Sequence, residues 1–468
     1  RPTDPDRVEG SRVVSILSQI GYSGVRASQI ALSATGQNIA NVNTPGFSRL
    51  APELHSLGGQ TASSVGGGVQ VSSIRRLSND FQNQQLWRAS TEKNYYGTSQ
   101  QYLTALEGLI DSEGSSVSVG LDNFYAALSE ASSTPESIAL RQQILSEAKQ
   151  LAQRFNGLNA NIGTQLGALE GQRVAMVSEI NGLSSNIAEL NAQILEMESS
   201  GRDTATLRDY RENLIKDLSQ YAGIRVQEAA DGSLGVSLVN GQPLVAGNTA
   251  GQLQVSENLA GEQELTLVFA KTSFPLIQDG LGGSLGALYD MEYGALRPAQ
   301  DDLHAMAGAL AQAVNDTLAG GFDLNGNPGQ PLFVYNPAST SGMLAVGTLS
   351  TQELALSSVA GEVGNNQTLL ALLGTKTTSV TVGGDAVPLN DAYAGLVGRV
   401  ASASRQNQAD QAAAITVAEQ AQAQRDSVSA VNLDEEAVNL MAYEQAYQAN
   451  MKVISTSNEL FNAVLAMF

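Results

Sequence analysis

Two histidines, His55 and His304, are the first places to look for chemistry in a chain that contains no cysteine. A metal-binding helix needs a second ligand one turn further on, and both histidines have glycine there. The run Asp323-Leu324-Asn325-Gly326-Asn327-Pro328 resembles the opening of a calcium loop. It has proline instead of glycine at the sixth position and Val334 instead of an acid at the twelfth, so a turn is predicted. The glycine clusters Gly66–Gly68 and Gly282-Gly283 lack the lysine or the spacing of a phosphate cradle. No nucleophile elbow or dinucleotide fingerprint is present, and the acidic residues scattered over helices read as solvated faces. The chain is therefore predicted to be no enzyme and to need no cofactor and no metal.

The chemistry that remains is non-covalent and sits at the two ends. Near the start, Leu17, Ile20, Gly24, Ala27, Ala31, Ala34 and Asn38 recur at alternating threes and fours. Near the end, Leu440, Tyr443, Tyr447, Met451, Ile454, Asn458, Phe461, Leu465 and Phe468 do the same, with one four-four slip near the start of the series. The first stripe is mostly small and the second mostly large, so large knobs of one helix are expected to seat on the small stripe of the other. Asn38 and Asn458, polar positions in apolar seams, suit selection of register between helices. After the first helix, Asn41-Val42-Asn43-Thr44-Pro45-Gly46-Phe47 must turn: Pro45 drives Thr44 out of helical geometry and Gly46 supplies φ freedom. Asn432, followed by Leu433, is read as the cap of the last helix with Glu435 as reciprocal partner. A lone amphipathic helix cannot offset its ordering entropy, so the seam is expected to be completed only among neighbouring copies.

The elements that position these stripes fill 468 residues, of which only 15% are charged and 5% aromatic. A net charge of −21 excludes the basic footprint of a nucleic-acid binder and disfavours anionic membrane surfaces. No apolar run reaches the length of a membrane-spanning helix, and no conventional secretory signal is visible. Residues 1–12 read as a disordered lead-in or a remnant of cloning, and 13–76 as an N-terminal axial helix followed by an extended segment. Residues 77–223 read as a long helical bundle or coiled-coil domain, in which Thr134-Pro135-Glu136 opens a helix to about Glu198 with a strict heptad from Met176. Residues 224–282, with Asp231-Gly232 and Asn240-Gly241 turns, read as a small β-rich domain. A helical return segment (283–328), a small mixed α/β insert (329–388) and C-terminal axial helices (389–468) complete the chain. The fold class is mainly α with β inserts: terminal helices forming an α-helical coiled-coil layer, a long helical rod, and small antiparallel β-rich outer domains.

Three separated motifs carry a resemblance. Asn38-Ile39-Ala40-Asn41-Val42-Asn43-Thr44-Pro45-Gly46-Phe47-Ser48-Arg49 resembles the N-terminal signature of bacterial flagellar axial proteins (rod, hook and hook-associated). Val431-Asn432-Leu433-Asp434-Glu435-Glu436-Ala437 and Tyr443-Glu444-Gln445-Ala446-Tyr447-Gln448-Ala449-Asn450 resemble the matching C-terminal signature. Leu207-Arg208-Asp209-Tyr210-Arg211-Glu212-Asn213-Leu214, Asn240–Val245 and Leu389–Tyr393 are similar to the hook-associated protein 1 branch, the first hook–filament junction proteins. Residues 1–12 depart from the family pattern, and the 329–388 insert is short for it, which implies a reduced outer domain.

The resemblance implies a non-enzymatic structural subunit joining hook to filament. It implies export by the flagellar type III system and polymerisation through the terminal helices, with the β-containing middle facing outward. Implied partners are copies of itself, hook protein, the second junction protein and a flagellar export chaperone. The competing readings are another axial protein (hook or distal rod), against which the long helix at 135–198 speaks, and a secreted adhesin, against which the low aromatic content speaks.

Overall fold

The computed structural model describes residues 5–58, 66–112, 116–259, 261–339 and 342–466, with side chains described from Ser15 onward except that of Val464. Helix α1 (Pro5–Ala40) already includes most of the segment expected to be a disordered lead-in. Proline is tolerated in a first turn and only Gly10 weakens the helix after it, so nothing stops the helix from extending toward the N-terminus. Residues 1–4 lie outside the described residues. Strands β1 (Leu50–Leu57) and β2 (Gly68–Arg76) form an antiparallel hairpin laid along α1.

The body follows. Helix α2 (Asp80–Ile110) starts at Asn79, whose side chain accepts from the backbone N–H of Phe81 at 3.0 Å and of Gln82 at 3.3 Å. Helix α3 (Val117–Ala131) leads to α4 (Ile138–Ser199), 62 residues and about 93 Å long at 1.5 Å per residue. Thr134-Pro135-Glu136 does not open α4. It forms a turn in which the Ser137 N–H donates to the Thr134 carbonyl at 3.1 Å. The buried Arg141 explains the delay: its guanidinium donates to the carbonyls of Pro135, Thr351 and Leu354, tying the turn to the far insert.

The heptad stretch of α4 finds no second long helix. Its first half packs in a core with Phe124, Leu303 and Leu310. Its second half, through Val177, Ile180, Ile187 and Leu190, packs on α5 (Ala205–Tyr221) and on strands. The long helix is the spine of two cores rather than half of a coiled coil, because the same apolar spacing serves any flat apolar partner.

Those strands make two antiparallel sheets. One is β3 (Ile224–Glu228), β4 (Leu234–Leu238), β5 (Pro243–Ala246) and β6 (Thr249–Ala250); the other is β7 (Gln252–Glu257), β8 (Gln263–Phe269) and β9 (Thr272–Pro275). Helix α6 (Gly283–Met291) and helix α7 (Arg297–Ala319) are separated by a π turn at Glu292–Leu296, where one continuous helix was expected. The turn delivers the fully buried Glu292 between Arg173, with which it pairs, and Arg297, whose Nε donates to it at 2.8 Å. The insert carries β10 (Phe333–Tyr335), β11 (Leu344–Val346), α8 (Gln367–Gly374) and the hairpin β12 (Ser379–Val382) with β13 (Asp385–Pro388). Helix α9 (Leu389–Ser429) returns along α2, and α10 (Leu433–Ala466) ends the chain. Among the described residues, the buried apolar clusters draw on the body alone; α1, β1, β2 and α10 contribute nothing to them.

Candidate functional site

Helices α1 and α10 pack antiparallel along one another within the single chain. Gly24 lies directly under the side chain of Asn450, where any Cβ would overlap it, and a Cβ on Gly21 would sit 2.8 Å from Ile454 Cγ1. Ala27, Ala31, Ala34 and Asn38 are buried, and Leu17 and Ile20 half-buried. The pairing that was expected only between copies is thus made by the chain's own ends. On α10, Tyr443, Tyr447, Asn450 and Ile454 are half-buried, whereas Asn432, Leu433, Leu440, Met451, Asn458, Phe461 and Leu465 are exposed, and Phe468 lies outside the described residues.

The face of α10 turned inward runs Glu436, Tyr443, Asn450, Ser457, one residue every seven. At roughly 100° per residue it is rotated about 50° from the stripe read off the large apolar residues. The cause is the glycine pair on α1. It lets the backbones approach closely, with Asn450 and Ile454 seated over the two glycines, while Leu433, Leu440, Met451 and Leu465 lie on the flank. That flank is left bare: Leu433, Met451 and Leu465 are 51%, 45% and 57% exposed.

The polar residues have other duties than those expected. The Asn38 side chain pairs with the backbone of Leu50, donating to the carbonyl at 2.9 Å and accepting from the N–H at 2.8 Å. Asn458 is exposed. Asn432 caps α10 by accepting from the Asp434 N–H at 3.0 Å, but Glu435 does not reach back to it and pairs instead with Arg49. In the turn, Asn41 donates to the Gln37 carbonyl at 2.9 Å and Gly46 adopts a φ of +77°, with Asn213 packed where a side chain would go. Asn43 and Pro45 face solvent, and Phe47 is half-buried.

Past this turn, stretches far apart in the chain meet. Arg49 lies 2.9 Å from the carboxylate of Glu436, which is 1% exposed, and also pairs with Glu435. The Ser48 N–H donates to Asp209 at 2.9 Å. Arg76 donates to Asp209 at 2.8 Å and pairs with Glu212. Burial alone would lower the Arg76 pKa, but the bonds and charges of Glu212 and Asp209 outweigh it and hold it above the ordinary value. Arg425 donates to the Gly46 carbonyl at 3.1 Å and to Ser48 Oγ at 3.3 Å. Beside them a cleft of about 270 Å³ opens between the turn 41–47, Lys216, Arg425 and Val431. None of Arg49, Arg76, Asp209, Glu212 or Arg425 was singled out from sequence. The signal existed: in a chain poor in charge, Arg49, Asp209, Glu212, Glu435 and Glu436 all fall inside the three motifs.

The candidates for metal chemistry are otherwise engaged. The Asp323 carboxylate closes its own turn, accepting from the N–H of Asn325 at 2.8 Å and of Asn327 at 2.7 Å. Burial would raise its pKa, but these bonds, those to Asn327 foremost, hold it below the usual range. His304 Nε2 lies 3.0 Å from Asn159 Oδ1, to which Gln300 also donates at 2.9 Å, and His55 is exposed on β1. Among the described residues no cluster of three histidines or acids could hold a metal ion, and no helix is long and apolar enough to cross a membrane.

Comparison with known families and structures adds three observations. Residues 103–333 match the family described as the flagellar hook-associated protein FlgK helical domain. Residues 19–47 match the flagella basal body rod protein family, and residues 422–467 match the C-terminal family of the basal body rod FlgEFG proteins. These last two segments are the ones that pair as α1 and α10. Flagellar hook-associated protein 1 of Escherichia coli (strain K12) is 26% identical, the alignment covering 97% of this chain and 100% of that protein. Its counterpart in Bacillus subtilis (strain 168) is 25% identical over 94% of this chain and 95% of that protein. The fold is shared with the flagellar hook junction protein FlgK from Burkholderia pseudomallei, at a TM-score of 0.67 and 18% identity, over 74% of this chain and 100% of that one.

Proposed function

We propose, from the premise that this chain belongs to the flagellar hook-associated protein 1 family, that it is a structural subunit of the bacterial flagellum and works at the junction of hook and filament. The observation that supports the reading is the bare flank of α10. A helix already paired on one side with α1 keeps Leu433, Leu440, Met451 and Leu465 in water along the adjoining flank. Monomeric soluble proteins rarely leave such a stripe uncovered, and a helix that is paired on one face and carries an apolar stripe beside it is built for a layer with neighbours on both sides. In the tube, the flank of one copy packs on the α1–α10 pair of the next, and the body with its sheets faces outward.

In this reading the axial partners are further copies of itself, the hook protein below and the second junction protein above. The type III export machinery and a dedicated chaperone deliver it. Its work is mechanical, done by contacts that hold two different lattices together, with no bond made or broken.

Replacing Leu440 and Met451 together by Asp tests this. The double variant should keep the helical content of the native monomer, since neither side chain is buried in it. Cells carrying it should bear hooks without filaments and shed monomeric filament subunit into the medium, seen by electron microscopy and by immunoblot. Normal filaments on such cells would overturn the assignment of this flank to assembly.

A further inference from the structure

The terminal helices and their hairpin are joined to the body by two short covalent crossings, residues 77–79 and 430–432. No apolar cluster spans that boundary among the described residues. What does cross it is polar. On one side stand Pro45, Ser48 and Arg76, the last residue of β2; facing them are Asp209, Glu212 and Asn213 of α5 and Arg425 of α9, while Asn83 of α2 donates to Glu212 within the body. Within the terminal unit itself, Arg49 holds Glu435 and Glu436 of the last helix, and its backbone N–H crosses to the body, donating to the Ser429 carbonyl at 2.8 Å.

From this we infer that the ion pairs form an angular lock, setting the direction of the terminal helix pair relative to the body in the free subunit. The physical grounds are three. Two short covalent crossings fix position more than orientation, so orientation must come from contacts. The cleft of about 270 Å³ between the 41–47 turn and α5 and α9 shows that close packing does not supply it. The pairs that do are largely withdrawn from solvent, with the side chains of Arg76, Asp209 and Glu212 exposed by 13%, 9% and 14%, which makes their loss costly and their geometry definite. Buried pairs of this kind give specificity of arrangement more than stability. The inference rests on the assembly reading for its purpose: a subunit whose angle is set beforehand loses less entropy when it joins its neighbours.

The test uses the full chain, whose lack of cysteine permits two introduced spin labels at Ala403→Cys on α9 and Ala449→Cys on α10, both exposed. Pulsed electron paramagnetic resonance on the monomer should give one narrow distance distribution. In Arg76→Met, which keeps the side-chain bulk without the charge, the distribution should broaden to at least twice its width. With Lys at that position it should stay near native. Asp209→Asn, a milder loss, should broaden it in the same direction and gives the reading should the methionine variant fail to fold. A native distribution that is broad, or methionine and asparagine variants that remain narrow at the native mean, would overturn the lock. Neither result bears on polymerisation, which is read separately by filament formation.

Discussion

At Gly24 the arrangement of the terminal pair depends on the absence of one carbon atom. Its Cα is covered by the Asn450 amide, and Gly21 four-fifths of a turn away is covered by Ile454. Gly24→Leu should therefore separate the two helices and destabilise their pairing by about 1–3 kcal/mol, the usual cost of overpacking. Chemical denaturation followed by a fluorophore on α10 would show the loss. Gly24→Ala should cost less, because the amide of Asn450 is the end of a side chain that can swing aside. Residues such as these were legible by type, since a glycine among alanines at helical spacing announces close approach. What it would approach was not, for the identity of the facing side chain depends on the azimuth of a helix more than 400 positions later.

At the scale of elements, the long helices were readable because their periodicity extends over many turns. The stripe read on α10 and the face it turns to α1 overlap at Tyr443, Tyr447 and Ile454 and differ elsewhere for a physical reason: hydrophobic spacing weighs large residues most, and Glu436, Asn450 and Ser457 also turn inward. The π turn at Glu292–Leu296 and the short strands β5, β6 and β9 left no trace, each being too short for a repeat to register. The interface of α4 with α7 carries a further expectation. His304 is partly buried against Asn159, and burial holds its pKa below the ordinary value, with Asp301 opposing weakly. An unfolded histidine takes up a proton below about pH 6.5. The folded one resists, so the stability this interface contributes is present above that pH and declines as pH falls below it. Thermal unfolding from pH 7.5 to 5 should show a steeper decline for the native chain than for His304→Gln, which keeps a donor for Asn159. Equal slopes would remove His304 from the account.

For the whole molecule, the division between a polar boundary and apolar interiors has a thermodynamic consequence. Both main cores, one around Phe155 and Leu310 and one around Ile180 and Leu267, close without any help from the terminal helices. A chain trimmed to residues 80–429 should fold cooperatively with a Tm close to that of the body in the full protein, followed by circular dichroism. It should be unable to enter flagella. Failure to fold would mean that the termini support the cores through contacts weaker than those described. The assembly function was legible at this scale only through the three motifs, whose residues proved to be neighbours across gaps of some 160 to 390 positions.

The meeting of both chain ends at one place makes everything from α2 to α9 a single excursion that leaves the helix pair and comes back to where it left. Length added or removed at the far side of that excursion, as in the 329–388 insert, shifts neither of the two points of departure. Under the proposed function, descendants of such a chain are free to remodel the body while the dimensions of the tube wall stay constant.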